Sequence, residues 1–396
     1  MNTQATISAG IEISPLDFQM LLQEKLRLAV QFTPVTVLEE EVTAFVGAER
    51  YTRTPERRDQ RNGSYARRLG TSVGEVELQV PRTRKGFKTQ MFEKYQRRQA
   101  EMDQAISAMF VQGVSTARVG EVLGGLTTIQ PSASTVSRVF HTLDDEFATW
   151  KQRPLDAHYA YAFADGTYFT VIYEATGQKT PILAVVGIKL TGEREVLGFT
   201  IGERENQTAW ADLLDSLKAR GLQKVDLWIT DGNQAMLNAI QTKFPDSARQ
   251  RCIKHKMENV LSYVPEKQQE AVAGELRAIF YQDNRAKAEQ AVAAFQAKYE
   301  TVYPSAVECL QRDLEACLTF YTFPKTHWKT IRTTNVVERL FGEVKKRSHK
   351  MAAAFRNESS CLLMFYAVIR SLHFRKLSMH KKEQTQDPDP TILHNS

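Results

Sequence analysis

The stretch YAYAFADG at residues 159–166 decides the fold, because it joins an apolar run to Asp165 and a glycine. A second stretch of the same form, VDLWITDG, occupies residues 225–232 and contains Asp231. Each run has the length and composition of a buried strand that ends at its aspartate. The glycine leaves open space beside each carboxylate. If the two strands are neighbours in one sheet, both carboxylates face the same open edge.

The chain around these two stretches predicts an α/β domain. The predicted strands of a three-stranded meander are residues 159–173, 181–188 and 195–201. Helices are predicted at residues 207–220 and 233–243, on either side of the Asp231 strand. A crossover helix normally returns the chain to a parallel neighbour. Three antiparallel strands followed by alternating helix and strand form the ribonuclease-H-like order, which is the predicted fold class of this core.

A third acidic residue, Glu338, lies on a predicted late helix in the stretch TTNVVERL at residues 333–340. With Asp165 and Asp231 it makes a carboxylate set suited to Mg²⁺, which prefers hard oxygen ligands. Two Mg²⁺ ions about 4 Å apart activate an attacking oxygen and stabilise the leaving 3′ oxygen of a phosphodiester. We therefore expect phosphoryl transfer with two Mg²⁺ ions, for which Mn²⁺ can substitute.

Each of these acids could also have a purely structural role. Either aspartate alone is more often a turn residue before glycine. Asn335 and Glu338 have capping-box spacing, with Asn335 as the N-cap, and from spacing alone capping is the better interpretation. Glu343 is a second candidate for the third acid, but it lies roughly 140° round the helix from Glu338, so both cannot face one site. Gly342 and Lys346 fall near the Glu338 face.

Cys252 and His255 have the spacing of half a zinc site. Two ligands are too few for structural zinc, so we expect both residues to pack beside the active site. The four cysteines predict reduced thiols of an intracellular protein. No apolar run is long enough to span a membrane, and residues 1–15 lack a signal pattern. The predicted location is cytoplasmic.

The net charge of +6 is concentrated in one segment, since residues 51–100 contain 13 Lys or Arg against 5 Asp or Glu. Clustered basic side chains neutralise phosphates, and aromatic residues interleave with them, so double-stranded DNA is the expected partner. A solvated charged face is the commoner cause of such a run. The predicted DNA-binding residues of this segment are Arg57, Arg58, Arg61, Arg67, Arg68, Arg82, Arg84, Lys85, Arg97 and Arg98. Near the acidic site, Lys345, Lys346 and Arg347 are expected to contact phosphates.

Two helical regions flank the basic segment. Residues 1–48 predict either a helix pair or a small packed bundle, and a short strand is predicted at residues 71–81. Beyond it, helices at 102–111 and 116–123 precede a third that opens at Pro131-Ser132, with Gly124-Gly125 stopping the second. This pattern indicates a helix-turn-helix, although many three-helix bundles share it. The expected DNA-facing residues of the third helix are Ser134, Thr135, Ser137 and Arg138.

The length of 396 residues predicts several domains. Their predicted bounds are 1–50 for an N-terminal helical region, 51–100 for the basic DNA-binding segment, 101–156 for the helix-turn-helix domain, 157–255 for the first part of the ribonuclease-H-like core, 256–330 for an α-helical insertion, 331–380 for the last core helices, and 381–396 for a disordered tail.

These residues together resemble the mutator-type transposases of bacterial insertion sequences, over residues 57–376. The marks of the resemblance are Arg61-Asn62-Gly63, Gly74-x-Val76-x-Leu78-x-Val80-Pro81-Arg82-x-Arg84, Gly113-Val114-Ser115-Thr116, Asp165-Gly166-Thr167-Tyr168, Asp231-Gly232, Cys252-x-x-His255, His327-Trp328 and Arg332-Thr333-Thr334-Asn335-x-x-Glu338-Arg339. The resemblance implies a DDE transposase with an interrupted ribonuclease-H-like core. It also implies that Glu338, rather than Glu343, completes the triad.

The resemblance further implies binding of terminal inverted repeats by the N-terminal region, and a circular intermediate in many bacterial members. Two element ends must meet, so a homodimer or larger assembly is expected. No phosphate-binding Gly-x-x-x-x-Gly-Lys-Ser/Thr stretch occurs, so no nucleotide cofactor is expected. Two rival functions stay open, a DNA-binding regulator that does not cut and a nuclease that cuts without joining.

Overall fold

The computed structural model describes residues 15–71, 74–91, 100–127, 129–202, 205–351 and 355–379. The chain divides into two compact units, residues 1–142 and 143–396. The predicted disordered tail at 381–396 lies outside the described residues, as do Arg97 and Arg98. None of the described helices is both long and apolar enough to cross a membrane.

The first unit begins with one long helix, α1 (Pro15–Val46), where the sequence suggested a helix pair or a bundle. Proline lacks the backbone N–H that continues a helix, yet α1 runs through Pro34 without ending. Its C-terminal half packs on a β-hairpin, since Leu38 is fully buried in a cluster with Val76 and Leu78.

The hairpin pairs β1 (Arg61–Thr71) with β2 (Gly74–Thr83) in antiparallel register. The sequence predicted the second strand because Val76, Leu78 and Val80 alternate with polar residues, and these three side chains are buried against α1. The first strand was missed because its RNGSYARR segment is polar and lacks alternation.

Three helices complete this unit, namely α2 (Ala100–Val111), α3 (Thr116–Thr127) and α4 (Ala133–Phe140). The expectation that Gly124-Gly125 stops the second helix was wrong, because α3 continues to Thr127. Another glycine of α3 serves close packing, since a Cβ at Gly120 would lie 2.6 Å from the carbonyl oxygen of Pro131. Ser132 caps α4 as predicted, with its side chain accepting from the Thr135 N–H.

The second unit is a mixed α/β domain. Its first elements are α5 (Leu143–Gln152), β3 (His158–Tyr173), β4 (Thr176–Lys189), β5 (Arg194–Ile201), α6 (Gln207–Ala219), β6 (Lys224–Thr230), α7 (Gln234–Lys243) and β7 (Ala248–Arg251). The strands form one sheet in the order β5-β4-β3-β6-β7. β3, β4 and β5 are antiparallel neighbours, whereas β6 lies parallel to β3 and β7 parallel to β6. The predicted meander is present; the short strand β7 was not predicted.

Helices cover the sheet and bury its strands. Trp210 and Leu214 of α6 pack with Ala162, Ala164 and Trp228 of the sheet in one apolar cluster. Since side chains alternate along a strand, Phe163, which lies between these two alanines, points to the opposite face of the sheet. α14 (Asn335–Met351) packs against β3 and β4, and α15 (Glu358–Ser371) packs against β5.

Between β7 and α14 the chain is helical. Its segments are α8 (Ile253–Leu261), α9 (Glu266–Phe280), α10 (Arg285–Tyr299), α11 (Pro304–Gln311), α12 (Leu314–Leu318), two 3₁₀ turns (Thr319–Thr322 and Lys325–His327) and α13 (Trp328–Ile331). The α-helical character predicted for residues 256–330 is present. The segment from Pro304 to Leu318 is not one continuous helix, because Asp313 adopts a left-handed φ of 63° between α11 and α12. Its carboxylate pairs with Arg251 at 3.0 Å.

Candidate active site

The two aspartates are adjacent because their strands are parallel neighbours. Ala164 of β3 pairs with Thr230, the last residue of β6, so Asp165 and Asp231 are the next residues on the two neighbouring chains. The prediction that both strands end at their aspartates was wrong for Asp165, because β3 continues to Tyr173. Asp165 is buried, with 6% of its surface exposed, and Asp231 is half-buried. The Asp165 Oδ1 accepts a hydrogen bond of 2.8 Å from the N–H of Gly166. The sheet register therefore brings the two carboxylates together as the sequence predicted.

A tight turn presents the Asp231 carboxylate. Gly232 has a φ of +90°, a region that glycine adopts without strain, and a Cβ there would lie 2.1 Å from the Arg251 Nη1. The N–H of Asn233 donates to the Asp231 Oδ1 at 2.8 Å. Asn233 also caps α7, because its side-chain oxygen accepts from the N–H groups of Ala235 and Met236. Asn233 thus both caps α7 and orients the Asp231 carboxylate.

Glu338 lies on the first turn of α14, and its carboxylate has three neighbours. Its Oε2 is 2.5 Å from the Lys254 Nζ, its Oε1 accepts from the Thr334 Oγ1 at 3.2 Å, and the His255 Nε2 is 4.0 Å away. The expected capping box was wrong in its N-cap, because α14 begins at Asn335 itself and the hydroxyl that binds Glu338 belongs to Thr334. The Glu338 carboxylate is instead directed toward α8.

Cys252 and His255 lie beside Glu338. The ligand atoms of these three residues all lie within 4.8 Å of one another, a spacing at which they could hold a metal ion. The Cys252 Sγ accepts from the N–H of Thr334 at 3.4 Å. Burial raises the pKa of the Cys252 thiol, but His255 and Thr334 outweigh it and hold the pKa below its usual value. The neighbouring Cys252 in turn raises the pKa of His255 to about 9.

Negative charge is concentrated at the aspartates. Burial raises the pKa of Asp165 to about 7, with Asp231 and Glu338 acting in the same direction and His255 acting against them. Burial and Asp231 also raise the pKa of Glu205, a half-buried carboxyl on the α6 side. Carboxylates that are forced together in this way are stabilised by a bound cation. The donor set and its burial therefore fit a divalent metal ion of the Mg²⁺ type.

Glu343 points elsewhere. Its carboxylate binds the Lys346 Nζ at 3.0 Å and the Arg347 Nη1 at 2.8 Å, and these hydrogen bonds lower its pKa. Lys345 extends toward β3, where its Nζ donates to the Thr167 Oγ1 at 2.7 Å. Of the three cations proposed for phosphate contacts on α14, Lys345 is therefore the one that contacts the strand carrying Asp165.

Several arginines of the basic segment bind the protein's own backbone. Arg57 donates to the Thr52 carbonyl at 3.0 Å, and Arg58 donates to the Ala44 carbonyl at 2.5 Å. Arg61 donates to the Ala48 carbonyl at 2.9 Å and to the Thr43 Oγ1 at 2.6 Å. These contacts fix the segment onto the end of α1. A structural role thus accounts for part of the arginine content.

The remaining DNA-binding candidates of the first unit differ in exposure. Arg68 is exposed but lies 3.6 Å from Glu75, and the Arg82 guanidinium stands over the Tyr65 ring at 4.7 Å. Lys85 donates to the Arg58 carbonyl at 2.6 Å. The residues whose side chains are exposed include Arg82, Arg84, Ser134 and Arg138, whereas Arg67, Thr135 and Ser137 are half-buried.

Three residues near the acids were not among the predicted site residues, namely Glu205, Lys254 and Thr334. Each lies on a different element from the aspartates, so only the folded chain brings it near. Thr334 had a weak signal, because it directly precedes the predicted Glu338 helix and has an N-cap side chain.

The chain matches known proteins over most of its length. Residues 12–376 match the family described as Transposase, Mutator family. The chain is 34% identical over 369 residues to the transposase for insertion sequence element ISRM5 of Rhizobium meliloti, covering 93% of this chain and 92% of the relative. It is also 34% identical over 371 residues to the IS406 transposase of Burkholderia multivorans, covering 91% and 95%. For the IS905 transposase of Lactococcus lactis, the identity is 30% over 357 residues, covering 90% of each chain.

An α/β domain with clustered carboxylates, together with these relatives, defines the class as insertion-sequence transposases. Within that class, the chain belongs to the Mutator family of transposases.

Proposed function

We propose that this transposase cuts and joins DNA through a DDE triad of Asp165, Asp231 and Glu338. The observation that carries the proposal is the parallel register of β3 and β6, which sets the two aspartates side by side at one sheet edge. Glu338 supports it, because its charge acts on Asp165 although 173 residues of chain separate them. No comparable contact recruits Glu343 among the described residues.

We assign the catalytic domain to the ribonuclease-H-like class. The strand order β5-β4-β3-β6-β7, with a meander followed by two parallel strands, supports this assignment. The helices from α8 to α13 then form an insertion between the second and third acids. The helix-turn-helix is proposed for α2, α3 and α4, with the polar residues of α4 facing DNA.

We propose that Asp165, Asp231 and Glu338 hold a pair of Mg²⁺ ions, with Mn²⁺ as a substitute, and the effect of Asp231 and Glu338 on the pKa of Asp165 supports this assignment. When bound, the ions would activate the attacking oxygen and stabilise the leaving 3′ oxygen. The protein's own groups orient these acids. The Asn233 N–H fixes Asp231, and the Thr334 hydroxyl fixes Glu338.

The reaction begins with water attacking a phosphodiester at the element end, which frees a 3′-OH. That hydroxyl then attacks a target phosphodiester in line and releases a new 3′-OH. We infer that Lys345 contacts the DNA backbone beside Asp165, and its hydrogen bond to Thr167 on the same strand supports this. The DNA partners are the terminal inverted repeats and the target duplex, and a dimer or larger assembly holds the two ends.

Incubation with a labelled element-end duplex, an unlabelled target and Mg²⁺ tests this proposal. Wild type should yield both a nicked end and a joined product, and Asp165→Asn should yield neither while still binding the duplex. Cleavage without a joined product would indicate a nuclease. Binding without cleavage, unchanged by Asp165→Asn, would indicate a DNA-binding regulator.

A further inference from the structure

Glu205 lies where the β5–α6 connection meets α6. The next residue, Asn206, is the N-cap of α6, and its side chain accepts from the Ala209 N–H at 2.9 Å. The helix start is therefore satisfied without Glu205. The Glu205 side chain is half-buried and directed toward the sheet edge that carries the two aspartates.

One contact links Glu205 to Asp231. The Asn233 Nδ2 donates to the Glu205 Oε1 at 3.1 Å, and the Asn233 N–H donates to the Asp231 Oδ1 at 2.8 Å. The side-chain oxygen of Asn233 is used by the α7 cap. With its oxygen, amide nitrogen and backbone N–H all engaged, Asn233 has one orientation in which every partner is satisfied. Loss of Glu205 would remove the acceptor of the Asn233 amide nitrogen.

A second contact links Glu205 to the Asp165 turn. A Cβ built on Gly166 would lie 2.7 Å from the Glu205 Oε1, so the carboxylate rests on the bare face of that glycine. Gly166 is also the residue whose N–H donates to Asp165. Glu205 thus contacts Asn233, whose N–H holds Asp231, and lies against Gly166, whose N–H holds Asp165. The charges of Glu205 and Asp231 act on each other.

We propose that Glu205 is a positioning residue of the metal-dependent site. It fixes Asp231 through Asn233, and its charge strengthens the attraction of the site for a divalent cation. This inference rests on the proposed function, because it assigns Glu205 to the site of Asp165 and Asp231. It adds a fourth carboxylate to that site, held by the α6 side of the sheet rather than by α14.

Mn²⁺ binding to the purified full chain, measured by electron paramagnetic resonance without DNA, tests whether the negative charge of Glu205 strengthens metal binding. Glu205→Gln keeps the size of the side chain and an oxygen that accepts from Asn233. It should weaken Mn²⁺ binding about three- to tenfold while the melting temperature stays unchanged. Asp212→Asn, which changes an exposed carboxylate on the adjoining helix, should bind Mn²⁺ as wild type does. Equal Mn²⁺ affinity in Glu205→Gln and wild type would overturn the proposal.

Asn233→Ser tests whether Glu205 fixes Asp231 through Asn233. Serine still supplies an N-cap oxygen to α7 but has no amide to donate to Glu205. Weaker Mn²⁺ binding in this variant supports the proposal that Glu205 acts on Asp231 through Asn233. Mn²⁺ binding equal to that of wild type would overturn it. In the cleavage assay, Glu205→Gln should need more Mg²⁺ for half-maximal rate and recover most of the rate at saturation. A wild type that binds Mn²⁺ but never cleaves refutes the proposed function, while the Glu205 comparison is still decided by binding.

Discussion

The ammonium of Lys254 lies 2.5 Å from the Oε2 of Glu338, so the proposed third acid is paired with a side chain of α8. Glu338 raises the pKa of Lys254, which keeps that ammonium charged. Lys254 stands 47% exposed and Glu338 26% exposed, so solvent screens the pair and its contribution is modest. A divalent ion held by Glu338, as we propose, would compete with the Lys254 ammonium for the same carboxylate.

Lys254→Gln should therefore strengthen Mn²⁺ binding. An exposed ion pair contributes up to about 1 kcal/mol, so the expected gain is about two- to fivefold in affinity. Titration calorimetry without DNA measures it, and Lys267→Gln, which changes an exposed lysine on α9, is the matched control. Unchanged or weaker Mn²⁺ binding would show that the lysine does not compete with the metal.

The buried carboxyl of Asp165 predicts a pH-dependent stability. Burial and Asp231 raise its pKa to about 7, so the folded, metal-free protein holds a proton that the unfolded chain releases near pH 4. The raised pKa therefore destabilises the fold increasingly from about pH 4 up to about pH 7, above which the cost is constant. Glu338 adds to this cost, whereas His255 reduces it.

Asp165→Asn removes that cost. Its melting temperature should exceed that of wild type by more at pH 8 than at pH 5, measured in the presence of a chelator. Asp212→Asn supplies the control, because its exposed carboxylate should give the same small difference at both pH values. An equal gain for Asp165→Asn at both pH values would contradict the raised pKa.

The turn after Asp231 predicts a contrast between two glycine substitutions. Gly232→Ala forces a left-handed residue against the Arg251 guanidinium and should lower the free energy of unfolding by about 1–3 kcal/mol. Gly342→Ala on α14 meets nothing within 4 Å and should raise it by about 0.5–1 kcal/mol. Urea unfolding measures both values. A neutral Gly232→Ala would mean that the turn relaxes freely.

The basic segment predicts that two arginines have different roles. Arg61 binds the Ala48 carbonyl and the Thr43 hydroxyl, so Arg61→Ala should lower stability by about 1–3 kcal/mol. Arg84 is exposed, so Arg84→Ala should leave the melting temperature unchanged and reduce the slope of DNA affinity against salt concentration by about one. A normal salt slope for Arg84→Ala would remove this residue from the DNA contacts.

The strands that carry the aspartates could be predicted because long apolar runs give a strong local signal. β1 has no such signal, since its stability comes from pairing with β2 and its surface is polar. The left-handed conformation of Asp313 was also not predicted, and the contact that its carboxylate makes with Arg251 joins residues 62 positions apart in the chain.

The site shows the same division between local and long-range signals. Asp165 and Asp231 could be paired from the order of strands alone. Glu338 could not be separated from a capping residue by spacing, and the resemblance to the family decided it. Glu205 and Lys254 could not be predicted, because they reach the site through contacts between elements that are distant in the sequence. Such contacts leave no periodic pattern in the sequence.

The choice between Glu338 and Glu343 is the central claim, and cleavage of a labelled element-end duplex with Mg²⁺ tests it most directly. Glu338→Gln should reduce cleavage by about a hundredfold or more, because it removes a metal ligand. Glu343→Gln breaks only ion pairs to Lys346 and Arg347 on its own helix, so it should cut within a few fold of wild type. Full activity in Glu338→Gln, or its loss in Glu343→Gln alone, would contradict the assignment of the third acid.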